Sequence, residues 1–176
     1  MADPLKQQVL DYLGSHNTMT LATCAENIPW AATVFYANDE FELYFFSSPD
    51  SRHGQNLSVN SRVAVTIQED YKDWRAIQGI QLEGRAVLVD GILEKAKAMA
   101  IYARKYVDVI KLFTDPASGV FYKAFLKVKF YRVEPEKLSS SITGRASASV
   151  RNSFWENSRA AGARHPGKTG NQPCRN

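Results

Sequence analysis

The chain has 176 residues, of which 44% are hydrophobic and 11% aromatic, so it is long enough for one domain with its own core. It contains no apolar run of the roughly 20 residues that a membrane-spanning helix needs, and its two cysteines, Cys24 and Cys174, lack the spacing of a disulfide framework or a metal site. The net charge of +4 comes from residues 139–176, since residues 1–138 carry −1. With a start that lacks a signal-peptide pattern, these features predict a cytoplasmic protein without a membrane or nucleic-acid partner.

The first part of the chain is predicted to form one helix and three strands. Residues 4–15 place apolar side chains on one helical face. Residues 18–24, 30–36 and 41–46 alternate in polarity or are rich in aromatic and β-branched residues, and polar turns separate them at 26–29 and 38–40. Because these connections are short, the three strands are expected to form an antiparallel meander.

A short helix and two further strands are predicted next. Asp50 or Ser51 can cap the helix, which ends near residue 60. Residues 63–67 alternate as a fourth strand, and residues 76–89 form a long fifth strand. Gly79 and Gly84 inside the fifth strand predict a bulge, a bend or a close backbone approach, which is typical of strands that coil into a barrel.

The folded part is predicted to end with a helix and one more strand. The three-four spacing over residues 93–110 predicts an amphipathic helix with Leu93 and Val107 on its buried face. Residues 126–131 alternate as the sixth strand, which Pro135 is expected to end. The sequence therefore predicts a mainly β fold of the α+β class, a six-stranded antiparallel β-barrel with flanking helices over residues 1–138.

Residues 139–176 differ in composition from everything before them. They contain many serines, scattered arginines and no sustained apolar period. Such a segment buries too little apolar surface to offset the entropy lost on ordering, so a disordered tail is expected. The abrupt change also fits a non-native extension, such as an altered reading frame.

Candidate phosphate-binding residues surround the junction between the third strand and the short helix. They are Ser47, Ser48, Ser51, Arg52 and His53. A helix start offers backbone N–H groups without acceptors and a partial positive charge, to which a guanidinium and an imidazole add donors. The sequence favours a phosphate site here, and the alternative is a serine-capped surface helix with two solvated polar side chains.

The second predicted strand has small residues in its middle. Ala31, Ala32 and Thr33, followed by Val34, would let a flat ligand approach the backbone, which could then read its edge. The alternative is an ordinary packed core strand. The histidines have no metal-ligand spacing, so no metal site is predicted, and the scattered acidic residues identify no catalytic acid or base.

The order of several short motifs resembles the pyridoxamine 5′-phosphate oxidase-like family, whose members are FMN-binding split β-barrels. The motifs are Phe45-Phe46-Ser47-Ser48-x-x-Ser51-Arg52-His53, Asn56-Leu57, residues 60–67 (Asn-x-Arg-Val-Ala-Val-Thr-Ile) and residues 78–86 (Gln-Gly-Ile-Gln-Leu-Glu-Gly-Arg-Ala). More narrowly, Ser51-Arg52-His53-x-Gln55 and Gly79-x-Gln81-x-x-Gly84 resemble a poorly characterised bacterial branch of it. The similarity covers roughly residues 5–138.

The resemblance implies FMN as the cofactor and a homodimer with two FMN sites at its interface. It implies that the backbone of residues 31–34 holds the isoalloxazine ring, and that the serines, Arg52 and His53 hold the phosphate. It implies that Trp74 and Gln81 of the partner chain cover the flavin. His53 stands where the family commonly has Arg or Lys, which lowers the positive charge at the phosphate.

The resemblance also implies an activity, an FMN-dependent oxidoreductase or reductase acting on a small molecule, with NADH or NADPH as the electron donor. The alternative is a non-catalytic protein that stores or senses flavin or haem. The C-terminal Arg and His contacts that the pyridoxamine phosphate oxidases make to substrate have no counterpart here, so pyridoxamine 5′-phosphate is not the expected substrate.

Overall fold

The computed structural model describes residues 4–142 and 148–150. The helices are α1 (Pro4–Ser15), α2 (Arg52–Val59), α3 (Ile92–Lys105), α4 (Val107–Thr114) and α5 (Val120–Phe125), with 3₁₀ turns at Trp74–Ala76 and Pro116–Ser118. The strands are β1 (Thr18–Ala25), β2 (Ile28–Phe35), β3 (Ala37–Asp39), β4 (Glu42–Ser47), β5 (Arg62–Gln68), β6 (Gly79–Leu88), β7 (Lys129–Ser140) and β8 (Ala148–Val150). In the described residues no helix is long and apolar enough to cross a bilayer.

One antiparallel sheet contains all eight strands. Its order is β2-β1-β5-β6-β7-β4-β3, and β8 pairs with β7 beside this path. The two end strands, β2 and β3, follow each other in the chain with only Tyr36 between them, so the sheet must curl until its ends meet. The mainly β, α+β barrel is therefore confirmed.

Two details of the predicted sheet are wrong. The six predicted strands correspond to β1, β2 and β4–β7, but β3 and β8 are additional, because a three-residue strand is too short to show alternation. The first three predicted strands do not form a meander, since β4 pairs with β7 and β3 instead of β2. The short connections suggested that consecutive strands pair with each other. Instead, the chain passes from one end of the sheet to the other after Phe35.

The first hairpin is tighter than the sequence indicates. Glu26 and Asn27 both have positive φ, 51° and 60°, as a two-residue type I′ connection requires, so β2 already begins at Ile28. All eight residues of β1 pair with all eight of β2. This full pairing fixes the positions of the small residues at 31–33.

Strand β7 continues through Pro135, so the predicted strand end there is wrong. A bulge between Glu83 and Gly84 lies opposite this proline, which has no N–H to donate to the sheet. A Cβ on Gly84 would lie 2.2 Å from the carbonyl oxygen of Glu134. The predicted role of Gly84 as a bulge with a close backbone approach is confirmed.

The core lies inside the curled sheet, and α1 closes part of it. Val9 and Leu13 of α1 pack with strand residues such as Leu21 and Phe45. The carbonyl oxygen of Leu13, at the end of α1, accepts hydrogen bonds from Tyr36 Oη (2.7 Å) and Lys105 Nζ (3.3 Å). These bonds tie α1 and α3 to the residue that joins the two ends of the sheet.

The predicted helix over residues 93–110 is two helices, and its buried face differs from the prediction. Leu93 is 84% exposed, while Ala98, Ile101 and Tyr102 are buried in a second apolar cluster under α3. Because the segment contains several alanines, more than one apolar stripe fits the three-four spacing. The stripe that packs against the sheet is the one that contains Tyr102.

The predicted domain boundary at residue 138 falls within β7, which runs to Ser140. Residues 148–150 of the segment predicted to be a disordered or non-native tail form β8. The rest of that prediction concerns residues 143–147 and 151–176, which lie outside the described residues.

Candidate functional site

The junction between β4 and α2 is built by a serine cap. Ser51 precedes the first residue of α2, and its Oγ accepts a hydrogen bond from the Gly54 N–H (3.1 Å) and donates to the Ser48 carbonyl oxygen (2.7 Å). Of the two predicted caps, Asp50 and Ser51, the structure selects Ser51. We call this junction, residues 47–54, the corner.

The corner brings a hydroxyl and an imidazole into direct contact. Ser47 Oγ lies 2.6 Å from His53 Nε2 and 3.3 Å from Ser51 Oγ. Burial lowers the pKa of His53, so its imidazole is neutral at pH 7. A neutral imidazole can accept a proton, and a neighbouring negative charge would favour that uptake.

Gly54 is a residue of the corner that the sequence did not single out. A Cβ at this position would lie 2.6 Å from the carbonyl oxygen of Ser48 and 2.9 Å from that of Pro49. Only glycine lets the first turn of α2 approach the loop this closely. A small residue three positions after a capping serine was the available signal, but it is a weak one.

Arg52 lies at the start of α2 with its side chain exposed. Its guanidinium carbon lies 4.4 Å from the centre of the Trp30 ring on β2. In the described part of the chain, every other arginine lies within 4.0 Å of a carboxylate oxygen, and Arg52 alone does not; the paired arginines are Arg62, Arg75, Arg85, Arg104 and Arg132.

Strand β2 is not the packed core strand that the alternative interpretation required. Ile28 and Phe35 are 53% and 60% exposed, and Trp30 is 38% exposed. Ala31 and Thr33 lie opposite Ala22 and Thr20 of β1 on the outer face of the sheet, and their side chains are exposed.

The intervening residues of β2 point to the other face. Ala32 and Val34 lie opposite the buried residues Leu21 and Met19 of β1. Alternate residues of segment 31–34 therefore face opposite sides of the sheet. Within the described residues, β2 pairs with another strand, β1, along only one of its edges. Its other edge leaves backbone groups that a ligand can reach.

A groove of about 350 Å³ crosses the outer face of β1, β5, β6 and β7. Small residues line much of it, and its lining is Thr20, Ala22, Ala64, Val65, Thr66, Gln81, Leu82, Glu83, Lys137 and Ser139. We call this surface the outer groove. Gln81 therefore belongs to the outer groove, while Trp74 lies in a 3₁₀ turn and is 79% exposed. Among the described residues, neither Trp74 nor Gln81 forms a hydrogen bond or a ring contact with the corner.

A sequence profile of the family described as pyridoxamine 5′-phosphate oxidase matches residues 5–140. The chain belongs to the pyridoxamine 5′-phosphate oxidase family. The resemblance carried by the order of the short motifs is thereby confirmed. Among the relatives, a UPF0306 protein of Photorhabdus laumondii is 33% identical over 97 residues, which cover 54% of this chain and 67% of that protein.

Solved structures share the fold of this family member. The haem-binding protein of Mycobacterium smegmatis superimposes with a TM-score of 0.68 at 20% identity, covering 86% of this chain and 59% of that chain. The haem storage protein of Vibrio cholerae gives a TM-score of 0.61 at 22% identity, covering 76% and 92%. At these identities the likeness shows the fold alone, and this chain spans only 59% of the length of the mycobacterial protein.

The donors at the corner of this family member suit a phosphate monoester. Among the described residues, the backbone N–H groups of Arg52 and His53, which open α2, have no hydrogen-bond acceptor. The unpaired Arg52 guanidinium and the hydroxyl of Ser47 lie at the same junction. These groups are donors, a cation and a titratable base, which is the chemistry that phosphate oxygens require.

Proposed function

We propose that this chain binds FMN at the corner and acts, as a homodimer, as an oxidoreductase on a small-molecule substrate. The observation that carries the proposal is the unpaired Arg52 beside the open N–H groups of α2. FMN, when bound, supplies hydride or electron transfer. The family membership and the resemblance of the motifs support the same cofactor.

The phosphate end of FMN is assigned to Ser47, Ser48, Ser51, Arg52 and His53. The hydroxyls and the first N–H groups of α2 orient the phosphate, and Arg52 contributes a full positive charge. Ser48 Oγ accepts from the Asp50 N–H (3.2 Å), which holds the loop but leaves the hydroxyl proton to donate. His53 adds a second positive charge when it takes up a proton.

The flat end of FMN is assigned to the backbone of residues 31–34. Ala31 and Thr33 are small and exposed, so a ring can approach the main chain there. Main-chain N–H and C=O groups can pair with the pyrimidine edge of an isoalloxazine and so tune its potential. The cation–π contact between Arg52 and Trp30 connects this strand with the phosphate end.

The partner subunit is assigned the cover of the flavin, through its Trp74 and Gln81. The outer groove and the exposed Phe35, which lies on the same face of β2 as Ala31 and Thr33, support an interface on this side of the barrel. Among the described residues, neither Trp74 nor Gln81 forms a hydrogen bond or ring contact with the corner of its own chain, so both side chains are available to a partner subunit.

The proposal is tested by measuring binding and reduction separately. Mass spectrometry of ligand released from the native protein should identify FMN, and titration should give tighter binding for FMN than for riboflavin, which lacks the phosphate. Anaerobic NADH or NADPH should then bleach the flavin absorption of the loaded protein. Equal affinity for the two flavins would contradict the phosphate site, and a flavin that neither donor reduces would contradict the oxidoreductase.

A haem-binding or storage protein is the second candidate, favoured by the fold shared with the two haem proteins. The histidines in the described residues are His16 and His53. His16 Nδ1 lies 2.7 Å from the Tyr12 carbonyl oxygen and Nε2 lies 3.3 Å from Glu69, while His53 Nε2 contacts Ser47. Haem coordination through the Nε2 atom of either histidine would have to displace one of these contacts. A Soret band after addition of haem, with no response to FMN, would favour this candidate.

A further inference from the structure

The ring of Trp30 on β2 and the guanidinium of Arg52 on α2 form a contact between two residues that lie 22 positions apart in the sequence. We propose that Trp30 positions Arg52 and thereby sets the preference of the site for a phosphorylated flavin over riboflavin. This inference rests on the proposed FMN site and deepens it, because it names a residue that determines ligand specificity without itself contacting the phosphate.

The backbone of Trp30 is held relative to α2 by a buried polar link. Asn56 Nδ2, on α2, donates to Thr23 Oγ1 on β1 (3.0 Å), and Thr23 lies directly opposite Trp30 in the β1–β2 pair. Thr23 and Asn56 are both buried. Since buried polar groups keep their hydrogen bonds, this link fixes the distance between the strand that carries the indole and the helix that carries Arg52.

A guanidinium that lies over an aromatic ring needs no hydrogen-bond acceptor from it, so its N–H donors remain largely available. Among residues 4–142 and 148–150, the Arg52 side chain has no hydrogen-bond acceptor. A long side chain that is already oriented loses less rotamer entropy when it binds a phosphate. The indole therefore restricts Arg52 in advance while leaving its donors for the ligand.

The indole also holds Arg52 without neutralising it. A carboxylate in the same place, such as Glu136 beside Arg62 and Arg85, would compete with the phosphate for the guanidinium. The ring supplies a neutral, electron-rich face instead. The full charge of Arg52 therefore remains for a phosphate.

Trp30→Leu tests this role through the ratio of two affinities. We expect the Kd for FMN to rise by about threefold to tenfold, as loss of a partly exposed cation–π contact requires, and the Kd for riboflavin to change by less than about twofold. Trp30→Phe keeps an aromatic face and should retain most of the preference for FMN. Ile28→Ala, an exposed apolar change on the same strand, should leave the ratio unchanged.

A double-mutant cycle separates positioning from a general structural role. In an Arg52→Ala background, Trp30→Leu should have no further effect on the ratio, because the residue it positions is gone. An unchanged ratio for Trp30→Leu, or an equal loss of both flavins, would overturn the inference, the latter because Trp30 would then contact the ring. If Trp30→Leu does not fold, Trp30→Phe and Trp30→Tyr must keep the ratio, and a loss there would also overturn it.

The outcome distinguishes this inference from the proposed function. If wild type and Trp30→Leu prefer FMN to riboflavin by the same factor, Trp30 does not position Arg52, but the FMN site still stands. A wild-type protein that does not prefer FMN to riboflavin removes the phosphate site, and with it the role of Trp30.

Discussion

Two arginines of this chain stand in opposite surroundings. Arg132 of β7 is only 19% exposed and lies near three carboxylates, those of Glu42, Glu94 and Glu134. Arg52 of α2 is exposed, has no carboxylate within 4.0 Å among the described residues, and rests on a neutral ring. The three carboxylates near Arg132 carry more negative charge than its guanidinium carries positive charge, whereas no carboxylate among the described residues offsets the charge of Arg52.

The difference separates an arginine whose charge holds elements together from one whose charge no carboxylate offsets. Arg132 joins β7 to β4 and α3, so its charge is consumed in holding elements together. A half-buried arginine without carboxylates would cost stability, which is why the unpaired one lies at the surface, at a helix start. An arginine without a carboxylate partner, next to backbone N–H groups without acceptors, is therefore a better indicator of an anion site than the number of arginines in the chain.

The largest expected effect comes from Gly54→Ala, which breaks the corner without touching either arginine. The new Cβ would meet the carbonyl oxygens of Ser48 and Pro49 at 2.6 and 2.9 Å, so the loop and the first turn of α2 must separate. We expect a loss of about 2–3 kcal/mol in the free energy of unfolding, measured by urea denaturation, together with weaker FMN binding.

Gly14→Ala is the matched control for this change. A Cβ on Gly14, in α1, meets nothing within 4 Å, so alanine should stabilise the helix by up to about 1 kcal/mol. Equal unfolding midpoints for Gly54→Ala and wild type would mean that the corner is not packed as tightly as the structure indicates.

Arg132→Met should separate the two arginines by stability. Methionine keeps much of the apolar stem but leaves the carboxylates of Glu42, Glu94 and Glu134 without their cation. Because these carboxylates are partly exposed, we expect the free energy of unfolding to fall by about 2 kcal/mol. This is less than the cost of breaking a fully buried ion pair. Arg52→Met should change the unfolding midpoint little, and a similar loss for both would contradict the comparison.

Arg52→Ala should separate the two arginines by binding. A charge-assisted contact to the phosphate of about 1.5 kcal/mol would be lost, which weakens FMN by about tenfold. Riboflavin has no phosphate, so its affinity should stay within about twofold. Isothermal titration of both flavins measures this difference, and equal weakening of the two would remove Arg52 from the phosphate.

Much of this site was predictable because it depends on local rules. A serine before a helix and the polar residues around it are close in sequence, so Ser47, Ser51 and His53 were expected together. The bulge at Gly84 was predictable for the same reason, since glycine inside a long strand has few other causes.

Contacts between distant segments were not predictable in this way. The pairing of β4 with β7 joins residues more than 80 positions apart, and connection lengths do not determine it. The stack of Trp30 on Arg52 depends on how α2 docks against β1 through Asn56 and Thr23. Nothing in the local sequence of either segment identifies its partner.

The smallest expected effect is a pH dependence that belongs to the corner and not to Arg132. Burial lowers the pKa of His53 in the free protein, and a phosphate beside it would favour the charged imidazolium and raise that pKa again. FMN binding should therefore take up a proton. As the pH falls from about 7.5 to about 6, the affinity of wild type for FMN should rise by a few-fold relative to His53→Gln.

His53→Gln is the reference because the FMN phosphate takes up a proton of its own near pH 6, and this titration is common to both proteins. In the absence of flavin the sign is reversed. A lowered pKa in the folded state means that the unfolded chain binds the proton first, so the stability present above about pH 6.5 is lost as the pH falls through the folded-state pKa. The unfolding midpoint of wild type should then fall more steeply than that of His53→Gln. If the pH curves of wild type and His53→Gln run parallel both with and without flavin, His53 does not titrate at the corner.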